Sequence, residues 1–286
     1  MDTLYTNIID ILKKNNLNHE FFIERFPFNA LNYSKINYIF ENINELIINP
    51  VHVVNKFLSN EECNQLIDNA ENRFVNPFVA TKYTYDQNKN LRSSKICFFS
   101  KSENEFINKI ENKIASLLNV NINQLEPLKL NRYEYGNEFK LHYDFYPDAD
   151  FNERKYSFII YLNTLDDTGS TYFPYYNAKY YPKKGNAIHF KNFIDNDNIK
   201  TNLFSLHTGE KVLSNQNKYI ITTWVTQYEV IKKELNFEIY DEEFNNLVLL
   251  LRNKNISNNF INKIIKNRKN IRNKHYIDFI AILNKL

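Results

Sequence analysis

The spacing of hydrophobic residues changes character twice along this chain. Over the first fifty residues apolar side chains recur at three- and four-residue intervals, most clearly at Ile36, Ile39, Phe40, Ile43, Leu46 and Ile47, which predicts helices. Residues 51–58 read as a strand. Ser59-Asn60-Glu61-Glu62 then forms a capping-box pattern ahead of a helix carrying Cys63, Leu66, Ile67 and Ala70. Strand-like segments follow at 79–85 and 94–99. A second box, Ser102-Glu103-Asn104-Glu105, precedes a helix whose Ile107, Ile110, Ile114 and Leu117 make one apolar stripe. From Leu128 the period shortens, and aromatic and β-branched segments at 128–135, 139–146, 157–162, 171–173, 187–190 and 218–227 alternate with Gly, Pro, Asn and Asp clusters. Many short strands without intervening helices predict an antiparallel sandwich or jelly roll, in an α+β chain whose helices support the sheet. After Tyr228 helical spacing returns through Phe244, Leu247, Leu251, Phe260 and Ile264.

Composition narrows this picture. At 286 residues the chain can bury a sizeable core, and a net charge of +3 gives no general attraction for nucleic acid or acidic lipid. Basic residues gather instead at 252–274, beyond the strands, where they read as a solvated helical face. Cys63 and Cys97 are too few for a disulfide framework or a thiolate zinc site, and both read as free, buried thiols. Neither a signal sequence nor a run of roughly 18 apolar residues is evident, so an intracellular, soluble protein without a membrane span is expected. There are 4 glycines where a share of roughly 7% is usual, and Gly136, Gly169, Gly185 and Gly209 all fall within the strand-rich stretch, which marks turns.

The chemistry centres on Leu141-His142-Tyr143-Asp144. If this run is a strand, His142 and Asp144 project to one face while Tyr143 turns away. His207, from another strand-like segment, is the natural third ligand. Two imidazoles and a carboxylate form the facial triad that holds non-haem Fe(II) and leaves positions open. A bare His-x-Asp is weak by itself. Downstream, alternation puts Lys218, Ile220, Thr222, Trp224 and Thr226 on one face. If that face lines a cavity, Lys218 is a lone cation for a carboxylate; by itself it reads as a solvent-facing lysine at a strand start.

The ordered set of motifs resembles the catalytic domain of prolyl 4-hydroxylases. It comprises Asn131-Arg132-Tyr133-Glu134-Tyr135-Gly136, His142-x-Asp144, Arg154-x-x-Ser157, Tyr161-Leu162-Asn163, Gly169 to Pro174, Pro182 to Ala187, His207-x-Gly209 and Lys218 to Trp224, with upstream likeness through Phe57 to Cys63 and Leu91 to Ser94. The resemblance implies a double-stranded β-helix (jelly-roll) core over 51–228, a helical N-terminal extension over 1–50 and a helical basic extension over 229–286. It also implies Fe(II), 2-oxoglutarate as co-substrate, O2 and ascorbate, and a proline-containing peptide or protein as substrate, with succinate and CO2 released. Carried over, it makes His142, Asp144 and His207 the iron ligands and sets Lys218, Tyr133 and Thr171 on the distal carboxylate of 2-oxoglutarate. Arg154, Trp224 and Arg92 take substrate positions, and the aromatics Tyr143, Phe145, Tyr146, Tyr175, Tyr176, Tyr180 and Tyr181 suit a peptide groove as well as a plain core.

The sequence departs from the pattern in three places. Thr168 and Ser170 stand for a second glycine and an acidic residue, Asn215-Gln216-Asn217 replaces a glycine turn, and Thr226 stands where collagen-type members carry a histidine. Two other readings compete with a prolyl hydroxylase: an oxygenase of the same chemistry acting on another side chain or small molecule, and a silent β-barrel binding module.

Overall fold

The structure, a computed structural model, describes residues 2–48, 51–75, 79–80, 85–86, 92–144, 154–194 and 200–227. In chain order these form α1 (Asp2–Lys14), α2 (His19–Arg25), α3 (Tyr33–Ile48), β1 (His52–Val54), α4 (Asn60–Ala70), β2 (Val79–Ala80), β3 (Tyr85–Asp86), β4 (Lys95–Phe98) and α5 (Glu105–Leu118). There follow β5 (Lys129–Tyr133), β6 (Phe139–His142), β7 (Arg154–Tyr161), β8 (Thr171–Phe173), β9 (Ala178–Tyr180), β10 (Ala187–Lys191), β11 (Phe193–Ile194), β12 (Lys200–Thr201), β13 (His207–Gly209) and β14 (Lys218–Thr226). The helices expected after Tyr228, the basic run at 252–274, and Phe145 and Tyr146 lie outside the described residues.

A major sheet in the order β1-β10-β7-β14-β5-β4 faces a minor sheet in the order β6-β13-β8-β9, and every pairing within them is antiparallel. This is the jelly-roll core. One face of the major sheet gives Leu130, Phe158, Ile160, Ile221 and Val225 to a core closed by α4 and α5 through Cys63, Leu66, Ile107, Ile110 and Ile114. The other face gives Tyr133, Ile159, Tyr161, Ile188 and Ile220 to a second core, closed by Phe173 of the minor sheet and by Leu165 and Val212 of its loops. Successive side chains of a strand point to opposite faces, so alternation alone assigns each residue to its core. Gly185 makes the turn into β10 possible: at φ +80° a Cβ there would lie 2.4 Å from the Leu58 carbonyl oxygen.

Several local expectations need correction. The first fifty residues fold as separate helices, broken at Asn16 and at Pro27, and the strand after them covers only His52–Val54 because the chain turns at Lys56 with φ 52°. In the segment 79–85 only Val79–Ala80 and the start of Tyr85–Asp86 are described as strand. The Ser59/Glu62 capping box forms, whereas the Ser102/Glu105 box does not: Asn104 caps α5, and Ser102 instead directs its amide and hydroxyl to the buried Glu111 carboxylate. Both cysteines are free and buried.

The N-terminal helices form a third core with the jelly roll. Ile8, Leu12, Phe22, Ile36 and Ile39 pack with Tyr175, Phe204 and Leu206, and Tyr143 and Tyr176 border the same cluster. Tyr175 is 1% exposed and its ring meets those of Phe21 and Phe204. These aromatics therefore anchor the helices, which removes Tyr143, Tyr175 and Tyr176 from any peptide groove.

Candidate metal centre and cosubstrate pocket

β6 ends at His142, so Asp144 stands just beyond the strand, in a bend. Strand alternation therefore does not by itself bring His142 and Asp144 together. The carboxylate is aimed by β7, where the Ser157 hydroxyl donates to Asp144 Oδ2 at 2.6 Å and in turn meets Asn192. His207 opens β13 and sits directly opposite His142 in the register of the minor sheet. The pairing slips by a bulge between His207 and Gly209, which re-aims the start of β13.

The three side chains converge. His142 Nε2 lies 3.5 Å from Asp144 Oδ1, and His207 Nε2 lies 3.8 Å from Asp144 Oδ2. One ligand atom from each falls within 4.8 Å of the others. Each imidazole is oriented through its other nitrogen: His142 Nδ1 donates to the Lys140 carbonyl at 2.7 Å and His207 Nδ1 to the Ser205 carbonyl at 2.8 Å. That tautomer leaves both Nε2 lone pairs toward Asp144, as metal-binding histidines require. Phe139 stacks on the His142 ring at 3.6 Å and Phe173 on that of His207 at 5.4 Å. Burial, followed by the neighbouring His142, pushes His207 down to about 4, so this imidazole is neutral near pH 7. Burial alone would raise the Asp144 carboxyl, but His207, His142 and Ser157 outweigh it and hold it well below the carboxylate range. A charged carboxylate and a neutral imidazole are the protonation states a divalent cation needs. The donor set of two nitrogens and a carboxylate fits iron(II) with positions left open.

Lys218 begins β14 of the major sheet, on the inner face that the minor sheet covers, opposite Tyr133 of β5. It is 1% exposed, its Nζ lies 5.2 Å from the Tyr133 ring centre and 6.0 Å from that of Tyr161, and no carboxylate among the described residues pairs with it at ion-pair distance. Burial pushes this ammonium down to about 7, with Glu210 opposing the shift. A buried cation without an anion is costly, and a carboxylate brought by a ligand would offset that cost. Thr171 and Tyr133 are buried in the same pocket. Sequence reading gave no role to Tyr161, whose hydroxyl lies 2.9 Å from Thr171 Oγ1 and holds that rotor. It read Gly169 as a turn but not as packing on the lysine, where at φ +63° a Cβ would approach Val212 to 3.1 Å and Lys218 Cδ to 3.3 Å.

The residues given substrate positions divide. Arg154 and Trp224 come together: the guanidinium lies 3.7 Å from the indole centre and grips Glu126 with bonds of 2.6 and 2.8 Å. Trp224 pairs with Ser157, which puts it one strand from the residue that aims Asp144. Arg92 is turned inward, donating to Ser94 and Asn131 and lying 4.9 Å from the Phe139 ring, so it backs His142 from behind. His189 is half-buried against His52 on the helix side, away from the triad. Of the three departures, Ser170 binds Glu210 at 2.6 Å and Thr168 accepts the Leu213 amide at 2.6 Å, the 215–217 segment is absorbed in a loop before β14, and Thr226 donates to the Gln124 carbonyl at 2.9 Å.

A family profile described as the 2OG-Fe(II) oxygenase superfamily matches residues 128–226. Prolyl 4-hydroxylase 5 of Arabidopsis thaliana is 28% identical over 202 residues, covering 62% of this chain and 68% of its own length. Prolyl 4-hydroxylase 2 of the same plant is 28% identical over 197 residues, covering 59% and 64%. Among solved structures, the viral collagen prolyl hydroxylase of Paramecium Bursaria Chlorella virus-1, in its 2OG complex, superposes with a TM-score of 0.51 at 26% identity, over 63% of this chain and 96% of that one. With its jelly-roll core and its converging His, Asp and His, the chain carries a 2OG-Fe(II) oxygenase domain over residues 128–226 and is similar to prolyl 4-hydroxylases.

Proposed function

We propose that this protein hydroxylates prolyl residues in a peptide or protein, with 2-oxoglutarate converted to succinate and CO2. The observation that carries the reading is a converging His142, Asp144 and His207 together with a buried Lys218 that no carboxylate among the described residues pairs at ion-pair distance. His142 and His207 would hold the iron through Nε2, and Asp144 through a carboxylate oxygen. When bound, Fe(II) and 2-oxoglutarate supply the activation of O2 that oxidises an unactivated C–H bond. Ascorbate would serve as the reductant that keeps the metal ferrous.

The chain's own residues bind, orient and seal. Lys218 would receive the distal carboxylate of 2-oxoglutarate, with Tyr133 and Thr171 donating hydroxyl protons; such charge-assisted bonds gain strength in a dry pocket. If Tyr161 gives its proton to Thr171, the shorter of its two contacts, the Thr171 proton stays available for that carboxylate. Ser157 keeps Asp144 in one orientation, and the Lys140 and Ser205 carbonyls keep both imidazoles in one tautomer. Trp224 and Arg154 would hold the peptide at the mouth, whereas Arg92 acts as a positioning residue behind Phe139 and His142. The domain that does this spans 51–228, with residues 1–50 buttressing it. No helix among the described residues is long and apolar enough to cross a membrane.

The test is oxidation of proline-containing peptides by the full chain with Fe(II), 2-oxoglutarate, ascorbate and O2. We expect prolyl residues to gain one oxygen, and Asp144→Ala to abolish the gain. Succinate formed at the same rate with and without every peptide would move the substrate to another side chain or small molecule.

A further inference from the structure

Among the described residues, four cations lie on or beside the face that carries the site: Arg92, Lys129, Arg154 and Lys218. Arg92 donates to Ser94 and Asn131, and Arg154 to Glu126. Lys218 awaits the co-substrate. Lys129 is left over.

Lys129 shares the inner face of β5 with Asn131 and Tyr133 and pairs with Thr222 of β14, so it stands between Lys218 at one end of that strand and Trp224 near the other. It is 7% exposed, and its Nζ rests 4.1 Å from the centre of the Trp224 ring. Its ammonium makes no hydrogen bond and no ion pair among the described residues. The nearby carboxylates are both committed, Glu126 to Arg154 and Asp144 to the triad. Burial pushes the Lys129 ammonium well below the lysine range, Arg92 and Arg154 push it further, and Asp144 and Glu126 oppose them without prevailing. Among the described residues, the surroundings thus lack one negative charge. This is the same signature as at Lys218, but on the side where Trp224 and Arg154 face an incoming peptide. A carboxylate there would restore the charged lysine and gain a charge-assisted bond in a largely dry site.

We propose that Lys129 reads an acidic side chain beside the target prolyl, so that the substrate is an acidic proline-containing peptide. This rests on the prolyl hydroxylase reading above. Nothing in the notion of a generic peptide groove requires it, since a merely apolar or amide-lined wall would bind neutral peptides as well.

The chain holds a single tryptophan, Trp224, and it touches Lys129, which gives a binding signal independent of turnover. The full chain, loaded with 2-oxoglutarate and a redox-inert divalent metal, is titrated with prolyl peptides that differ only in flanking Glu, Gln or Lys, and tryptophan fluorescence is followed. We expect the Glu peptides to bind about tenfold tighter than their Gln counterparts, with the advantage shrinking as salt is added. Lys129→Gln should erase the advantage and Lys129→Arg should keep it. Equal affinity for Glu and Gln peptides in the unmodified chain overturns the proposal even if the variants fail to fold, as does an advantage that persists in Lys129→Gln. Oxidation of the same peptides separates the two claims. Equal prolyl oxidation of Glu and Gln peptides sinks the role of Lys129 alone, whereas tight acidic binding with no prolyl oxidation sinks the hydroxylase reading and leaves the anion contact standing.

Discussion

Asp144 shows how much of the site depends on single contacts. It projects from a bend and owes its aim to one hydroxyl, so Ser157→Ala should weaken iron binding while Asp144→Ala should abolish it; metal content of the purified variants checks both. Loss of the single Ser157 bond removes roughly 1 kcal/mol, or several-fold in affinity. Lys218 gives a second residue-scale expectation. Its folded value of about 7 lies below the ordinary lysine value, so the folded apo protein carries a cost whenever this lysine is charged. That cost is full below about pH 7 and disappears as pH rises toward the unfolded value, so stability grows with pH across this window. Binding of 2-oxoglutarate should run the opposite way, since it requires the charged form: above pH 7 it should take up a proton and weaken with rising pH, as calorimetry in two buffers would show. Lys218→Ala should raise the 2-oxoglutarate requirement roughly ten- to hundredfold. Most of these residues were legible because their motifs are local and ordered. Ser157 and Tyr161 were visible in the motifs but had no readable role, since their partners, Asp144 and Thr171, are joined to them only by the fold. Lys129 went unread: strand alternation puts it on the same face as Tyr133, but only the absence of an acceptor for its ammonium among the described residues, a fact of three dimensions, makes it notable.

At the scale of elements, the strands that carry the site were readable from period two, and β8 was found at its full extent, because each strand buries one face and a one-residue slip would expose it. Legibility failed where the chain does not alternate. The capping box at Ser102 looked as good in sequence as that at Ser59, but a buried Glu111 on the facing turn of α5 claims the Ser102 donors, and Asn104 takes the cap. β9 went unread because Ala178–Tyr180, at the edge of the minor sheet, buries neither face fully and so lacks the contrast that marks β8. The turns into β8 and β10 supply the testable case. Gly185→Ala would add a Cβ 2.4 Å from the Leu58 backbone at a left-handed φ, so its cost should exceed the roughly 1–2 kcal/mol of that backbone conformation alone. Gly169→Ala meets only side chains, and its cost should be smaller. At roughly 2–4 °C per kcal/mol in a domain of this size, thermal melts of the two variants should rank in that order, and a reversed ranking would contradict the packing described for Gly185.

For the whole molecule, the N-terminal helices were predicted as helices but not as neighbours of the metal centre, because nothing in an amphipathic stripe names the surface it covers. They bury Tyr175, Phe204 and Leu206, and Leu206 immediately precedes His207 while Ser205 holds its imidazole. Each such side chain is worth roughly 1.5–3 kcal/mol when fully buried, which is a large fraction of a domain's net stability. Removing residues 1–48 should therefore lower the melting temperature and loosen iron together, and retention of both would contradict the buttressing role. The most direct test of the whole account follows the oxygen atoms. Run with isotopically heavy O2, Fe(II), 2-oxoglutarate and a proline-containing peptide, the protein should put one heavy atom into succinate and its partner into hydroxyproline, in equal amounts. Heavy succinate with an unlabelled, unmodified peptide would contradict prolyl hydroxylation, and unlabelled products throughout, from a protein shown to hold iron, would contradict oxygenase chemistry at His142, Asp144 and His207.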